Sequence, residues 1–272
     1  WCVGRCGGRG GAGRGAGHTG YRAVGRRRMG QRNATVARTT IFVTLAPRFL
    51  EAIAYLAIMG LGLGTYLTTV EGVDYPDFIA PGVAAATVMF GAIIETTYNA
   101  FVRIYVRRVV EAVITTPLSL ADVVVGEYLW AATRATIYGI VFLLVMVPFG
   151  LVHSAWALAL PLVFALGALT FAVLGMAYTS MVGSIEHYNI LFTGLLTPMF
   201  LFGGVFFPFD ELPTWAQVIG WCLPLSHLVA ATRARTLGDP GLLTLARLGV
   251  LLVILVAVFP FPAARLGRTL LR

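Results

Sequence analysis

Residues 95–127 read ETTYNAFVRIYVRRVVEAVITTPLSLADVVVGE, and this charged stretch separates two apolar segments before it from a long apolar region after it. It carries charges of both signs, at Glu95, Arg103, Arg107, Arg108, Glu111, Asp122 and Glu127. Within it Val102, Val106, Val109 and Val113 recur at helical spacing, with cations beside the apolar stripe. We therefore expect an amphipathic helix that lies at a membrane surface and ends at Pro117.

The composition is that of a membrane protein. Of the 272 residues, 58% are hydrophobic and 12% are charged, whereas a soluble domain carries about a quarter charged residues. The mean hydropathy is +0.84. Such a chain has too little polar surface to cover itself in water, so we predict an all-α polytopic membrane protein.

All twenty basic residues are arginine. A phosphate-binding P-loop needs the lysine of G-x-x-x-x-G-K-[ST] to reach the terminal phosphates, so the chain has no ATP site of that kind. We expect neither a cofactor nor a catalytic residue in it. Cys2, Cys6 and His18 match no zinc spacing, so no metal site is predicted either.

Six transmembrane helices are predicted from the uncharged runs, because about 20 apolar residues cross a bilayer as a helix. An amphipathic interfacial helix over residues 39–51 precedes them. The spans are placed at residues 52–70, 78–94, 127–147, 155–182, 188–207 and 242–261. Residues 208–238 are apolar but broken by prolines, and they are predicted to be an extracytoplasmic re-entrant hairpin between spans five and six.

Six crossings place both termini on one side of the membrane. Seventeen arginines lie before span one, in or near the charged stretch, or after span six, against Arg233, Arg235 and Arg247 on the other side. The positive-inside rule then places both termini in the cytoplasm. Residues 1–38 are predicted to be a disordered Gly- and Arg-rich cytoplasmic tail before a membrane domain of residues 39–272. The alternative is a start at Met29, with the earlier residues an extension of the reading frame.

Several motifs follow one another in a set order. They are ETTYNAF at 95–101, TTPLSLADVVV at 115–125, GEYLWAATRA at 126–135, GGVFFPFDELP at 203–213 and LPLSH at 223–227. Together they resemble the ABC-2 family of ABC-exporter membrane subunits, and most of all its branch of nodulation protein J and the daunorubicin-type drug-efflux permeases. The likeness runs from about Val36 to the C-terminus, and the residues before Val36 match nothing in the pattern.

The resemblance implies a homodimer or a pair of related permeases, bound to separately encoded ATP-binding subunits that hold ATP and Mg²⁺. The family's coupling helix corresponds to about residues 102–116. The residues implied in ATPase coupling are Arg103, Arg107, Arg108, Glu111, Pro117, Leu118, Asp122, Gly126 and Glu127. Those implied in the extracytoplasmic hairpin are Pro208, Asp210, Pro213, Pro224 and His227.

The function implied by the resemblance is ATP-driven export across the bacterial cytoplasmic membrane, with membrane lipid as a partner and no nucleic acid. An aromatic-rich pathway suits an amphipathic drug, whose efflux would give antibiotic resistance, or a lipid-linked glycan or modified oligosaccharide.

An ion-coupled secondary transporter is the alternative, and it normally needs ionisable residues in mid-span. We expect none there, since Glu95, Glu127 and Arg134 are placed near the cytoplasmic ends of spans. An intramembrane enzyme is a further alternative, but the four histidines are scattered and no H-E-x-x-H motif occurs. A permease without enzymatic activity of its own is therefore expected.

Overall fold

The computed structural model describes residues 45–59, 62, 69–70, 72–106, 120–182, 184–209, 213–238 and 241–270. The chain divides into two units, Trp1–Pro47 and Arg48–Arg272. Only residues 45–47 of the first unit are described. The predicted tail of residues 1–38 and its boundary with the membrane domain lie outside the described residues.

Helices make up nearly all of the described part of the chain. They are α1 (residues 45–59), α2 (Tyr75–Ile94), α3 (Leu120–Met146), α4 (Leu160–Thr179, entered through a 3-10 turn at Ala155–Ala159), α5 (His187–Leu191, a π turn at Phe192–Leu196, then Thr197–Phe202), α6 (Thr214–Cys222), α7 (Pro224–Leu237), α8 (Leu242–Val258) and α9 (Phe261–Leu270). Two short strands, β1 (Thr69–Val70) and β2 (Val73–Asp74), pair antiparallel directly before α2.

α2 is the central helix of the second unit. In the segment Tyr75–Ile104, 78% of the apolar stretch that could cross a membrane is buried inside the protein. For the segment Leu242–Gly267 the buried share is 17%. α2 packs against α3, α4 and α7, and small residues such as Ala84 and Ala85 form its buried surface. Small side chains let helices approach closely, which favours association where lipid removes the hydrophobic driving force between helices.

Gly175 of α4 marks one such close approach. A Cβ at this position would meet the Thr96 hydroxyl and would lie 3.4 Å from the Cα of Ile93. One turn further on, the Thr179 hydroxyl donates to the Thr96 carbonyl over 2.7 Å. The backbone of α4 therefore rests directly on the C-terminal end of α2.

Among the described residues, four helical segments are long and apolar enough to cross a membrane. They are Tyr75–Ile104, Val123–Met146, Ala155–Thr179 and Leu242–Gly267. These segments overlap the predicted spans two, three, four and six. Their outward side chains include Leu158, Leu162 and Val253, each more than two-thirds exposed, as expected for a surface that lipid covers. The total of six crossings stays a prediction.

The predicted boundary at residue 51, between an interfacial helix and a first span, is wrong. α1 continues through that position to residue 59. The predicted span one also does not reach residue 70 as a helix, because β1 pairs there with β2 around Gly72, whose φ of 79° suits a tight turn. Residues 60, 61 and 63–68 of that predicted span lie outside the described residues.

The predicted span five, residues 188–207, is shorter in the structure. α5 ends at Phe202, and two glycines follow, of which Gly204 has a φ of 72°. Within α5 the Thr197 hydroxyl donates to the Phe192 carbonyl over 2.9 Å. Pro198 has no N–H to donate to a carbonyl in the preceding turn. The backbone hydrogen-bond pattern of the helix therefore widens into a π turn.

The predicted hairpin contains two helices, α6 and α7, joined at Leu223, which has an extended backbone. Pro213 precedes α6 and Pro224 opens α7, at positions where a missing N–H costs little. α7 packs against both α2 and α8. The position of this hairpin in the membrane, and the side it faces, stay predictions.

Candidate functional site

Charged side chains of both signs meet where the C-terminal end of α2 faces α3. Glu95 follows directly on α2, and its side chain is 4% exposed. Its Oε1 accepts from Arg103 Nη1 at 3.0 Å, and its Oε2 accepts from Arg134 Nη1 at 2.7 Å. Trp130 Nε1 and Asn99 Nδ2 donate to the same carboxylate, at 3.1 and 2.8 Å. One buried carboxylate thus accepts from four side chains.

Glu127 of α3 completes a set that we call the charge cluster: Glu95, Arg103, Glu127 and Arg134. Arg103 Nε lies 3.0 Å from both carboxylate oxygens of Glu127, and Arg103 Nη2 also donates to Glu127 Oε2. A guanidinium that meets both oxygens of a carboxylate forms one of the strongest ion pairs in proteins. The two carboxylates balance the two guanidinium groups, so the cluster carries no net charge.

The charge cluster is largely withdrawn from solvent. The side chains of Arg103, Glu127 and Arg134 are 26%, 17% and 27% exposed. Removing one partner of a buried pair leaves the other charge uncompensated, which costs about 3–5 kcal/mol. An exposed pair such as Arg48 with Glu51, 2.6 Å apart, belongs to a class worth about 0.2–1 kcal/mol. Losing one member of the cluster should therefore disturb the contact of α2 with α3 far more than losing one member of a surface pair would disturb its surroundings.

The spacing of the polar residues explains why they meet. Glu95, Asn99 and Arg103 recur every four residues and share one face of the helix that continues α2. Glu127 and Arg134 lie two turns apart on one face of α3. Ionisable residues at helical spacing in an apolar helix indicate an internal polar site. That signal would have added Glu95 and Arg134 to the predicted site, which omitted them.

The continuation of α2 contains two π turns, at Glu95–Asn99 and Val102–Val106. The hydroxyls of Thr96 and Thr97 donate to carbonyls one turn back, at 2.9 and 2.6 Å. Such side-chain bonds compete with the regular backbone ladder, which accounts for the wider winding at this point. π turns are frequent at functional sites.

Of the predicted coupling residues, the structure brings Arg103 and Glu127 together. Gly126 precedes Glu127 in α3, and a Cβ added to Gly126 would meet no atom within 4 Å. Asp122 also lies in α3, although its side chain is outside the described part. The remaining predicted residues lie outside the described residues: Arg107, Arg108, Glu111, Pro117 and Leu118.

Arg103 does not lie on a separate coupling helix that begins at residue 102. The helix of α2 continues through its two π turns as far as Val106. Residues 95–106 contain no proline or glycine that would end it. Arg103 therefore belongs to the helical continuation of α2.

The expectation that the centres of the spans carry no ionisable residue is wrong for α3. The helix begins at Leu120 rather than near residue 127, because residues 120–126 continue its apolar pattern. Arg134 consequently lies midway along α3. Its charge is compensated there, since Nη1 pairs with Glu95 and Nη2 donates to the Tyr138 hydroxyl at 2.9 Å.

The described hairpin residues lie at breaks between helices. Pro208 lies in the connection after α5, Pro213 precedes α6, and Pro224 begins α7. Asp210 is outside the described residues.

His227 is buried in the first turn of α7, and its Nε2 lies 3.0 Å from the Trp221 carbonyl oxygen. This bond joins α7 to the last turn of α6. Burial lowers the pKa of His227, the bond to Trp221 opposes the shift, and the positive charge of Arg247 adds to it. The imidazole is therefore neutral at neutral pH, with Nε2 as the donor.

An apolar groove of about 420 Å³ runs along α4 and α5 to the link between α6 and α7. Its walls include Phe171, Tyr178, Leu195, Met199, Cys222 and Pro224.

Known proteins share this sequence over most of its length. The family model described as ABC-2 type transporter matches residues 27–236, which include the charge cluster and His227. Nodulation protein J of Rhizobium leguminosarum bv. viciae is 35% identical over 243 residues, covering 89% of this chain and 93% of that protein. Nodulation protein J of Rhizobium leguminosarum bv. trifolii is 36% identical over 245 residues, covering 89% and 92%. The inner membrane transport permease YadH of Escherichia coli (strain K12) is 27% identical over 219 residues, covering 79% and 84%.

Proposed function

This chain belongs to the ABC-2 type transporter family, and on that premise we propose that it is the membrane subunit of an ABC exporter. It is a membrane transport permease. In the proposal it forms an efflux pathway and draws on ATP hydrolysed by a separate subunit. That subunit binds the ATP and Mg²⁺, because a chain without lysine has no P-loop site.

The charge cluster is the observation that carries the proposal. It joins the end of α2 to α3, the two helices that flank residues 107–119, where the resemblance places most of the coupling helix. A push on that segment by the ATP-binding subunit would reach Arg103 through α2 and Glu127 through α3. Because these two side chains form a bidentate pair, a push on either helix would move both.

We propose that the movement passes through α2 as a rigid-body shift. α2 packs against α4 and α7 as well as α3. A displacement of its charged end would therefore change its contacts with α7 at the other end of the pathway. ATP binding would favour one of the two arrangements through the contacts that differ between them.

The proposed assembly is a homodimer or a pair of related permeases in the bacterial cytoplasmic membrane, with both termini in the cytoplasm. The proposed substrate is amphipathic, lipid-linked or of the oligosaccharide type. Aromatic side chains in edge-to-face contact at α5 support this class, since the Phe200 ring lies 5.5 Å from Phe90 of α2 and 4.9 Å from Phe206, measured between ring centroids.

The test uses the chain copurified with its ATP-binding subunit and a screen for compounds that raise ATP turnover. We expect the charge reversals Arg108→Glu and Glu111→Arg to abolish substrate-stimulated turnover while membrane insertion stays normal. The reason is that these residues belong to the segment proposed to contact the subunit.

Glu186→Arg is the control, because it makes the same change of charge as Glu111→Arg at an exposed residue. It should leave stimulated turnover unchanged. Normal stimulation in Arg108→Glu and Glu111→Arg would contradict the coupling role.

An ion-coupled secondary transporter is the second candidate, and the charge cluster itself favours it. Glu95 is buried and Arg134 lies midway along α3, and ionisable groups so placed mark ion and proton paths in such transporters. This candidate differs from the first in needing no ATP-binding subunit.

A further inference from the structure

Arg247 is a cation in an apolar helix and has no carboxylate partner among the described residues. It lies in the segment Leu242–Gly267 and makes no ion pair with any described residue. The described parts of α6, α7 and α8 contain Arg233, Arg235 and Arg247 but no acidic residue. An arginine in a membrane segment is costly unless it is paired or reaches the headgroup region. We therefore expect an anion from outside the described residues to bind Arg247.

The surroundings of Arg247 fit a position at the lipid boundary. Its Cζ lies 5.8 Å from the ring centroid of Trp221, which is 50% exposed. Trp215, in the same helix α6, is 60% exposed. Tryptophans with an exposed ring are typical of the headgroup level of a bilayer. The Trp221 carbonyl oxygen already accepts a hydrogen bond from His227. The groups that can contact a ligand here are therefore the Trp221 ring and the Arg247 guanidinium.

The apolar groove is lined by residues that directly follow Trp221 in the chain, namely Cys222, Leu223 and Pro224. The groove and the cation beside the Trp221 ring therefore lie close to the same link between α6 and α7. Leu195 and Met181 in its walls are 51% and 58% exposed, so the groove opens on the surface. An open apolar groove in a bilayer suits an acyl chain, and a guanidinium near it suits a phosphate.

We propose that one anionic glycerophospholipid binds here, with its phosphate on Arg247 beside Trp221 and one acyl chain in the groove. Guanidinium groups bind phosphate through paired charge-assisted hydrogen bonds. A zwitterionic lipid has the same phosphate but also brings a cation near Arg247, which disfavours it. The site is separate from the charge cluster, so it stands or falls independently of ATP coupling.

The test uses the full chain in phosphatidylcholine nanodiscs with increasing phosphatidylglycerol. Native mass spectrometry counts the bound lipid, and thermal unfolding follows the stabilisation. We expect the wild type to retain one phosphatidylglycerol. Arg247→Gln should weaken this binding about tenfold or more, since it removes a charge-assisted hydrogen bond. Leu195→Trp should weaken it by filling the groove.

Arg235→Gln is the matched control on the same hairpin. Arg235 is the competing cation, because its Nε and Nη1 are buried without a hydrogen-bond partner in the described part of the chain. Retained lipid in Arg235→Gln together with loss in Arg247→Gln supports the proposal. Equal binding by Arg247→Gln and wild type, or an equal loss in Arg235→Gln, overturns it.

Two further arms complete the test. Inorganic phosphate alone should neither stabilise the wild type nor displace its lipid, and stabilisation by phosphate alone would overturn the assignment to a lipid. If Arg247→Gln fails to insert, Arg247→Lys and Leu195→Trp replace it. Undiminished retention of phosphatidylglycerol in Leu195→Trp then overturns the proposal.

Discussion

Glu95 accepts hydrogen bonds from four side chains while its own side chain is 4% exposed, so the protein replaces nearly all of the water around it. Burying a carboxylate in such a place is costly unless donors surround it, and here guanidinium, amide and indole groups do so. Groups bound in one network do not act independently, so substitutions within the charge cluster should not have additive effects.

Replacing Glu95 should therefore be far more harmful than replacing an exposed carboxylate. We expect Glu95→Ala to lower the free energy of unfolding by about 3–5 kcal/mol, because two guanidinium groups then lose their shared acceptor. Denaturant unfolding of the purified chain in a mild detergent measures the change.

The control is Glu51→Ala, which removes the acceptor of the exposed Arg48 pair. It should cost at most about 1 kcal/mol. Similar losses in both variants would show that the charge cluster contributes no more than a surface pair.

His227 should make stability depend on pH. Burial, assisted by Arg247 and opposed by the bond to Trp221, lowers its pKa in the folded protein. The unfolded chain takes up a proton near the ordinary histidine pKa of about 6.5, whereas the folded chain resists it. Unfolding is therefore increasingly favoured as the pH falls below that value.

Melting temperatures at about pH 7.5 and about pH 5.5 measure the effect, on either side of the ordinary histidine pKa. His227→Gln should reduce the fall in melting temperature between them. His187→Gln is the control, since His187 is exposed. An undiminished fall in His227→Gln would assign the pH dependence to other groups.

At the scale of the elements, the contact between α2 and α4 depends on Gly175. Gly175→Ala should destabilise the protein by about 1–3 kcal/mol, because the new Cβ would displace the Thr96 hydroxyl next to the Ile93 backbone. Denaturant unfolding in detergent tests this value.

Gly194→Ala in α5 is the matched control, because a Cβ there meets no atom within 4 Å. It should be neutral or should stabilise by up to about 1 kcal/mol, since alanine favours a helix. If the two variants behave alike, the close approach of α4 to α2 is not a source of stability.

Long uncharged runs predicted helices well. The run predicted as span four, residues 155–182, corresponds to a helical segment Ala155–Thr179, and prolines correctly indicated the breaks around α6 and α7. Helix ends near charged residues were not predictable in this way. Leu120 begins α3 although charges at Asp122 and Glu127 suggested a later start.

The charge cluster was only half predictable for the same reason. Arg103 and Glu127 were proposed as coupling residues, but their pairing with Glu95 and Arg134 joins two helices and depends on the π turns in the continuation of α2. No pattern within one helix reports the register of another. Helical spacing could have indicated the face on which each residue lies, but not the partner that it meets.

At the scale of the whole molecule, the two candidate functions predict different behaviour in proteoliposomes. We expect the chain alone to move no solute when a proton or sodium gradient is imposed, because its energy is proposed to come from a separate ATP-binding subunit. Transport should appear when that subunit and ATP are added.

Flux of candidate amphipathic solutes, measured with and without the gradient, checks this expectation. Glu95→Gln distinguishes the candidates further. One contrary result is that the chain alone takes up solute when a gradient is imposed, and a second is that Glu95→Gln abolishes that uptake. Those two results together would favour the secondary transporter and contradict the exporter.

Arg233 shows which substitutions this chain can tolerate near the end of α5. α5 covers residues 187–202, roughly 24 Å at 1.5 Å per residue, against a hydrocarbon layer of about 30 Å. Beyond its end the Gly204 carbonyl accepts from Arg233 Nη2 at 2.9 Å, with the guanidinium carbon 3.6 Å from the Phe78 ring centroid. A hydropathy scale would rate Arg233→Leu as an improvement for a chain dissolved in lipid. In this fold the same substitution would remove the hydrogen-bond donor of the Gly204 carbonyl, directly beyond the end of α5. The residue that looks most foreign to a bilayer is thus one that satisfies the backbone where a helix ends.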